Sequence, residues 1–209
     1  MEVYGDKPKL FSKKWWENYF YYYKIHTIAG ILILLAGGYI VYSDLTATKY
    51  DLHIDYISEL GMGSYQTEII EQLARENIID VTGNEICDAF VMMLDMAPSH
   101  DMQYGQAMQV KYMTEQVYSE AFVFILSKQY AEEMSGCNIF EKADVWSGTG
   151  EDVECISLAG CKALENSDIP ADDLFLAVRK LRDDEIDDEK KIAEHKNGMM
   201  FARFLIDER

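Results

Sequence analysis

Basic charge is scarce in this chain: 19 Lys and Arg stand against 37 Asp and Glu, for a formal net charge of −18. The deficit is local. Residues 44–209 hold 34 acidic and 14 basic side chains, net −20, while residues 1–43 sum to +2. A surface of that sign repels phosphate backbones and anionic headgroups, which excludes broad electrostatic binding of nucleic acid and close docking of this part on lipid. Catalytic signatures are missing as well. There is no Gly-x-Ser-x-Gly elbow, no phosphate-binding glycine loop and no His-Glu-x-x-His helix. Acid pairs such as Glu132-Glu133 and Asp172-Asp173 are adjacent in sequence and point apart, whereas a general acid and base must converge on one bond. The first cysteine is Cys87, so no lipid-attachment cysteine precedes the domain. No internal repeat or long low-complexity tract is visible.

What is present begins with an uncharged run, Ile25-His-Thr-Ile-Ala-Gly-Ile-Leu-Ile-Leu-Leu-Ala-Gly-Gly-Tyr-Ile-Val-Tyr42. As a helix it covers roughly 27 Å, close to the hydrocarbon thickness of a bilayer. With neither proline nor charge, its backbone groups can all be satisfied internally, as lipid requires. Lysines and aromatics precede it, with Trp15, Trp16, Tyr22, Tyr23 and Lys24 expected at the membrane interface. Tyr39 and Tyr42 mark the other side, and Asp44 follows. Positive charge before the helix and acid after it predict a cytoplasmic N-terminus. A cleaved signal peptide is the competing reading, with Ala36-Gly37-Gly38 or Ala47 as weak sites, but the long basic-aromatic lead argues for an uncleaved anchor. The expected organisation is a tail over 1–24, a transmembrane helix over 25–43 and an acidic extracytoplasmic domain over 44–209, large enough for its own core.

In the outer domain, Tyr50–Ser58 alternates Leu52, Ile54 and Tyr56 with Asp51, His53 and Asp55, predicting a half-buried strand. Gly61-Met-Gly63 breaks the chain, and a helix capped by Ser64 should run until it frays near Asn77. Ile86–Met93 is a second apolar strand. Asp101 caps a helix through Ser119 with an adaptable Met102, Met108, Met113 and Val117 side. Ala121–Leu126 reads as a buried strand covered on both faces. A short helix from Ser127 to Gly136, an acidic loop over 140–152, strands at Val153–Leu158 and Leu174–Val178, and a closing helix over 188–206 complete the pattern. That helix should turn Ile192, Met199, Phe201 and Leu205 inward. Alternating strands and helices predict one layered α/β domain with a mixed sheet.

An oxidising outer face allows disulfides, and four cysteines admit three complete pairings. Cys155 and Cys161 flank a turn and lead as the expected pair; Cys87, at the start of an apolar strand, reads as a small buried thiol. Cys155-x5-Cys161 lacks zinc-hook spacing, and His53, His100 and His195 stand alone in sequence. Asp183–Glu189 supplies hard oxygen ligands without the interleaving or central glycine of a calcium loop, so it reads as a solvated acidic loop. No cofactor or metal site is expected. The Met and aromatic side chains Met92, Met93, Met108, Met113, Phe122, Phe124, Tyr104, Tyr112 and Tyr118 are expected mainly in the core, with an adaptable pocket as the other use.

Two stretches carry a resemblance. Lys13-Lys14-Trp15-Trp16 with Tyr22-Tyr23-Lys24-Ile25-His26-Thr27-Ile28 resembles the entry segment of uncharacterised bacterial single-pass, membrane-anchored extracytoplasmic proteins. Gln106-Ala-Met-Gln109-Val-Lys111-Tyr-Met113-Thr-Glu115, then Ala121–Ser127, then Phe140-Glu141 is similar to a helix–strand–helix unit of extracellular solute-binding proteins. The outer domain is about half the size of a two-lobed binding protein, so the resemblance implies one reduced lobe and carries over no ligand-contacting residue. The expected function is a non-catalytic binding or assembly module whose partner is a small-molecule ligand or another envelope protein. A cation-dependent envelope enzyme with an acidic site is the alternative.

Overall fold

The computed structural model describes residues 9–46, 48–98, 101–148, 150, 152–165 and 167–207. His100, expected in a loop, lies outside them. The chain divides into two compact units, Met1–Thr48 and Lys49–Arg209.

The first unit is built on one helix, α1 (Lys13–Thr46). It starts twelve residues before Ile25, so the aromatic segment belongs to the helix itself. Spacing explains this. Side chains four apart share a helix face, and Trp15, Tyr19 and Tyr23 stack with ring centroids 5.4 and 5.5 Å apart. Trp16 and Phe20 stack beside them at 5.7 Å. The stretch Tyr19–Ser43 is long and apolar enough to cross a membrane, with mean hydropathy 1.9. At 34 residues the helix is about 51 Å long, longer than a bilayer with its headgroup regions.

The second unit is a three-layer α/β domain around a five-stranded mixed sheet ordered β2-β1-β3-β5-β4. Strands β1 (Leu52–Ser58), β2 (Ala89–Asp95) and β3 (Val123–Ser127) are parallel, with Ile54 facing both Val91 and Val123. Strand β5 (Leu174–Val178) runs antiparallel to β3, and the short β4 (Ile156–Ser157) antiparallel to β5. The apolar run at Ala121–Leu126 becomes the central β3, buried along its whole length.

Helix α2 (Ser64–Glu76) connects β1 to β2, and α3 (Met102–Tyr118) returns from β2 to β3 on the other side of β1. Right-handed crossovers in opposite directions place their helices on opposite faces of a sheet. The packing agrees. Ile70 and Ala74 of α2 share a core with Phe201, Ala202 and Leu205 of α6 (Glu189–Asp207). Tyr112 of α3 joins Tyr130, Ala131 and Met134 of α4 (Lys128–Met134) in the other core. Asp101 caps α3 as its position predicts, accepting from the Gln103 and Tyr104 N–H groups. Gly63 rather than Ser64 is the N-cap of α2, with the Gln66 side chain accepting its N–H.

Several expectations change. Both faces of β1 are covered, so the polar residues that alternate along it and just before it are not on a solvated face, and His53 is half-buried. Asp51 and Asp55 are 0% and 1% exposed. Strand β2 begins at Ala89 and leaves Ile86 exposed, because Asp51 fixes where pairing starts: its N–H donates to the Asp88 carbonyl and its carboxylate accepts the Asp88 N–H. Within the expected loop over 140–152 lies a helical turn, α5 (Ala143–Ser147), whose Trp146 fills the α2 and α6 side of the core. In α6, Phe201 and Leu205 are buried as expected, while Ile192 and Met199 are half-buried. Polar Glu194, His195 and Asn197 are buried beside them.

Close approach of α6 to the sheet depends on Gly198. A Cβ built there would stand 3.0 Å from Phe122 Cβ and 3.3 Å from Val123 Cγ2. Both belong to the rigid centre of the sheet, so α6 would have to lift. Gly198→Ala is expected to lower stability by about 1–3 kcal/mol despite the better helix propensity of alanine, read as a fall in melting temperature of the full chain in detergent. An unchanged or higher value would show that the helix yields freely.

Candidate functional site

In a parallel α/β sheet the strand C-termini form a crevice where neighbouring crossovers leave in opposite directions. Here that reversal falls between β1 and β3. The residues placed there are Ser58 at the end of β1 and Glu59 after it, the Gly61-Met62-Gly63 turn into α2, and Ser127 at the end of β3 leading into α4. Gly61 has φ +68, a left-handed conformation that suits glycine, and its carbonyl accepts from the Tyr56 hydroxyl at 3.5 Å. The turn thus folds back over the end of β1.

Across the reversal, the Ser127 hydroxyl donates a short hydrogen bond to the Glu59 carboxylate. This accounts for Ser127, which sits at the N-cap of α4 without capping it by its side chain. Glu59 is half-buried, Leu60 beside it is 46% exposed, and Asp95 at the end of β2 is also half-buried. Glu59 and Asp95 lie close enough to the Tyr56 phenol to help hold its pKa up, after burial itself. Glu59 does the same to Tyr130 from the other face. The rim therefore carries two half-buried carboxylates, Glu59 and Asp95, beside the exposed apolar side chain of Leu60.

A separate open cleft of about 610 Å³ lies between α4 and the lead into β4. Of its charged groups, Lys142 pairs with Asp152, and Glu154 accepts the Gly136 N–H at 2.8 Å. Burial pushes the Cys155 thiol at its edge up to about 12, which makes it a poor nucleophile.

The expected Cys155–Cys161 bridge does not form. Cys155 belongs to the core on the α3 and α4 side of the sheet, and Cys161 to the core on the α2 and α6 side, where its thiol donates to the Leu205 carbonyl at 3.2 Å. Sequence proximity placed them together; the intervening β4 puts them on opposite faces. Cys87 is half-buried and donates to the Ile78 carbonyl at 3.5 Å, and Cys137 is exposed. The residues expected at a membrane interface, Trp15, Trp16, Tyr22, Tyr23 and Lys24, all lie on α1, and the four aromatic ones join its ring contacts.

The acidic run Asp183–Glu189 is not wholly solvated. Glu185 is buried and takes two hydrogen bonds from the Arg179 guanidinium, at 2.8 and 3.1 Å, and one from Arg182 at 2.6 Å. Burial alone would raise its pKa, but those donors and the Arg182 N–H hold it below the ordinary value. His195 is buried edge-on to Phe122, and burial first, then the nearby Arg179 charge, lowers its pKa. His53 is also lowered by burial. Among the described residues no group of three His, Cys, Asp or Glu side chains is arranged to hold a metal ion. The Met and aromatic set does not gather into one pocket. Phe122, Phe124 and Tyr112 are core, while Met93, Met113, Tyr104 and Tyr118 are exposed.

Glu59 is not singled out by the sequence, and Ser127 reads there only as the cap of a short helix. A signal for the first was there: a glycine-rich break directly after a strand and before a capped helix marks the C-terminal rim of a βα unit. No local pattern tells that Ser127 would lie next to it. Comparison with protein-family models, curated proteins and solved structures finds no match.

Proposed function

We propose that this chain is a membrane-anchored binding lobe, with α1 crossing the cytoplasmic membrane, its N-terminus inside and the acidic α/β domain outside. The observation that carries the binding reading is the strand-order reversal between β1 and β3, with Glu59 held across it by Ser127. Such a reversal is the usual ligand crevice of open α/β sheets. It also supports the resemblance to one lobe of an extracellular solute-binding protein. The anchor reading is supported by the length and hydropathy of Tyr19–Ser43, and the sidedness by the lysines before that stretch.

The ligand class that fits is a cationic organic solute, such as a basic amino acid or a polyamine. A half-buried carboxylate beside apolar surface attracts an ammonium or guanidinium group more strongly than a solvated one does. The excess of acid on the domain also raises the local concentration of cations. Binding without chemistry is the activity that such a rim supports.

The test is thermal unfolding of the full chain in nanodiscs with arginine or spermidine, and with glutamate as the anionic control. Ligand at about 100 times its Kd is expected to stabilise by about 2.7 kcal/mol, a shift of several degrees. Glu59→Gln is expected to weaken binding at least about tenfold, or about 1.4 kcal/mol. Equal binding by wild type and Glu59→Gln would move the site away from this rim, and a response to glutamate alone would overturn the cationic class.

A further inference from the structure

Glu59 is held through one of its two oxygens. The Ser127 hydroxyl donates to Oε2, and Oε1 has no partner among the described residues. A second group without a partner stands beside it. Tyr130 follows Ser127 by one turn of α4, and Glu59 is close enough to act on its phenol. Tyr130 is only 7% exposed, and its ring packs on Tyr112 with centroids 5.1 Å apart. That packing fixes the ring, so placing its hydroxyl costs little at the moment of binding. No described residue hydrogen-bonds the Tyr130 hydroxyl, and it is not sealed off as the Tyr112 hydroxyl is. Buried polar side chains are normally satisfied. Here the partner has to come from outside the domain.

These two acceptors discriminate between cations. A guanidinium binds a carboxylate best through two parallel N–H···O bonds, one to each oxygen. Ser127 already occupies one oxygen of Glu59, so the fork loses half of its grip. An ammonium is a compact charge with three N–H donors and has no need of the second oxygen. One of its donors reaches Oε1 of Glu59, and another is left for the phenol. We infer that Tyr130 is a second ligand contact of the crevice, its hydroxyl oxygen accepting an N–H from an alkylammonium paired with Glu59, so that the site takes primary amines in preference to guanidines. This assignment rests on the crevice proposed above as the ligand site, and it narrows the ligand from organic cations to amines.

The test is isothermal titration of the full chain in nanodiscs with putrescine and with its diguanidino counterpart, which share one carbon chain. Wild type is expected to bind the diamine at least about tenfold more tightly, the worth of one hydrogen bond to a charged donor. Tyr130→Phe keeps the ring and its contact with Tyr112. It is expected to abolish the preference by weakening the diamine, with diguanidine affinity and melting temperature retained. Ser127→Ala frees the second oxygen of Glu59 and is expected to tighten the diguanidine. Equal binding of the two ligands by wild type overturns the inference. So does a Tyr130→Phe chain that keeps the preference while Glu59→Gln weakens both ligands, a result that leaves the crevice standing without Tyr130. Binding of neither ligand by wild type removes the crevice and the Tyr130 contact together.

Discussion

Replacing Asp55 by Asn is expected to make the domain more stable at pH 8. Asp55 sits in the middle of β1 with 1% of its surface exposed. Burial raises its pKa to about 7, against 3.8 for a free side chain, although the Ser119 hydroxyl donates to it at 2.7 Å. Glu115 pushes the same way as burial; Lys111 and Arg179 oppose. A carboxyl whose folded pKa is raised binds its proton more tightly in the native state. Stability is then unaffected below the unfolded pKa, falls as pH rises between the two values, and carries the full penalty above about 7. Three pH units correspond to about 4 kcal/mol.

Asparagine keeps the carbonyl oxygen that accepts from Ser119 and removes the titration. Its amide NH2 takes the place of a carboxylate oxygen where water does not reach, and leaving that donor unpaired costs about 1–3 kcal/mol. The net expectation is a gain of about 1–3 kcal/mol at pH 8 and a loss of about 1–3 kcal/mol near pH 4, where the protonated Asp55 carries little penalty. Unfolding of the full chain in detergent, followed by near-ultraviolet circular dichroism at both pH values, measures the difference. Because the two chains share every other acid, the background titration cancels. An Asn variant less stable at pH 8 would show that Asp55 is ionised and well solvated there.

Glu185→Ala is expected to be the most damaging single change outside the apolar core. It leaves the Arg179 guanidinium, 7% exposed, without its carboxylate. Arg179 still donates to the Ala121 and Lys180 carbonyls and lies over the Phe122 ring at 4.4 Å, so it cannot simply swing into solvent. Breaking a buried pair by removing one partner typically costs about 3–5 kcal/mol. For a domain of this size that lowers the melting temperature by roughly 6–20 °C. The double change Arg179→Met with Glu185→Leu is expected to recover most of the loss, since an apolar pair needs no counter-charge. A loss below about 1 kcal/mol in the single variant would mean that water reaches the guanidinium. Acid should act on the same pair: Glu185 has a depressed pKa, so its contribution is present above the ordinary carboxylate range and disappears as pH falls through the folded value.

Both of these carboxylates escaped a reading of local pattern, for different reasons. Asp55 alternates with Leu52, Ile54 and Tyr56, and alternation in an isolated strand means one wet face. Two parallel neighbours and a helix on each side removed the water, which no residue of β1 announces. Glu185 lies in a run rich in acid, where its neighbours Asp183, Asp184 and Asp187 are exposed. Only the turn that brings it back to Arg179 sets it apart. The disulfide expectation failed in a similar way, because five intervening residues that allow a turn also allow a change of sheet face.

What the sequence alone determined is what depends on neighbours within a few residues. The apolar stretch of α1, the Asp101 cap, the buried run of β3, the strand at Leu174–Val178 and the closing helix follow from composition and period, as does the mixed α/β class. Tertiary structure decided strand order, and with it the crevice at Glu59 and Ser127. It also decided the buried polar ties, such as Asn197 donating to the Asp51 carbonyl 146 residues away. Hydrophobic period records which side of an element avoids water, but the partner that satisfies a buried charge or amide is chosen by distance in space.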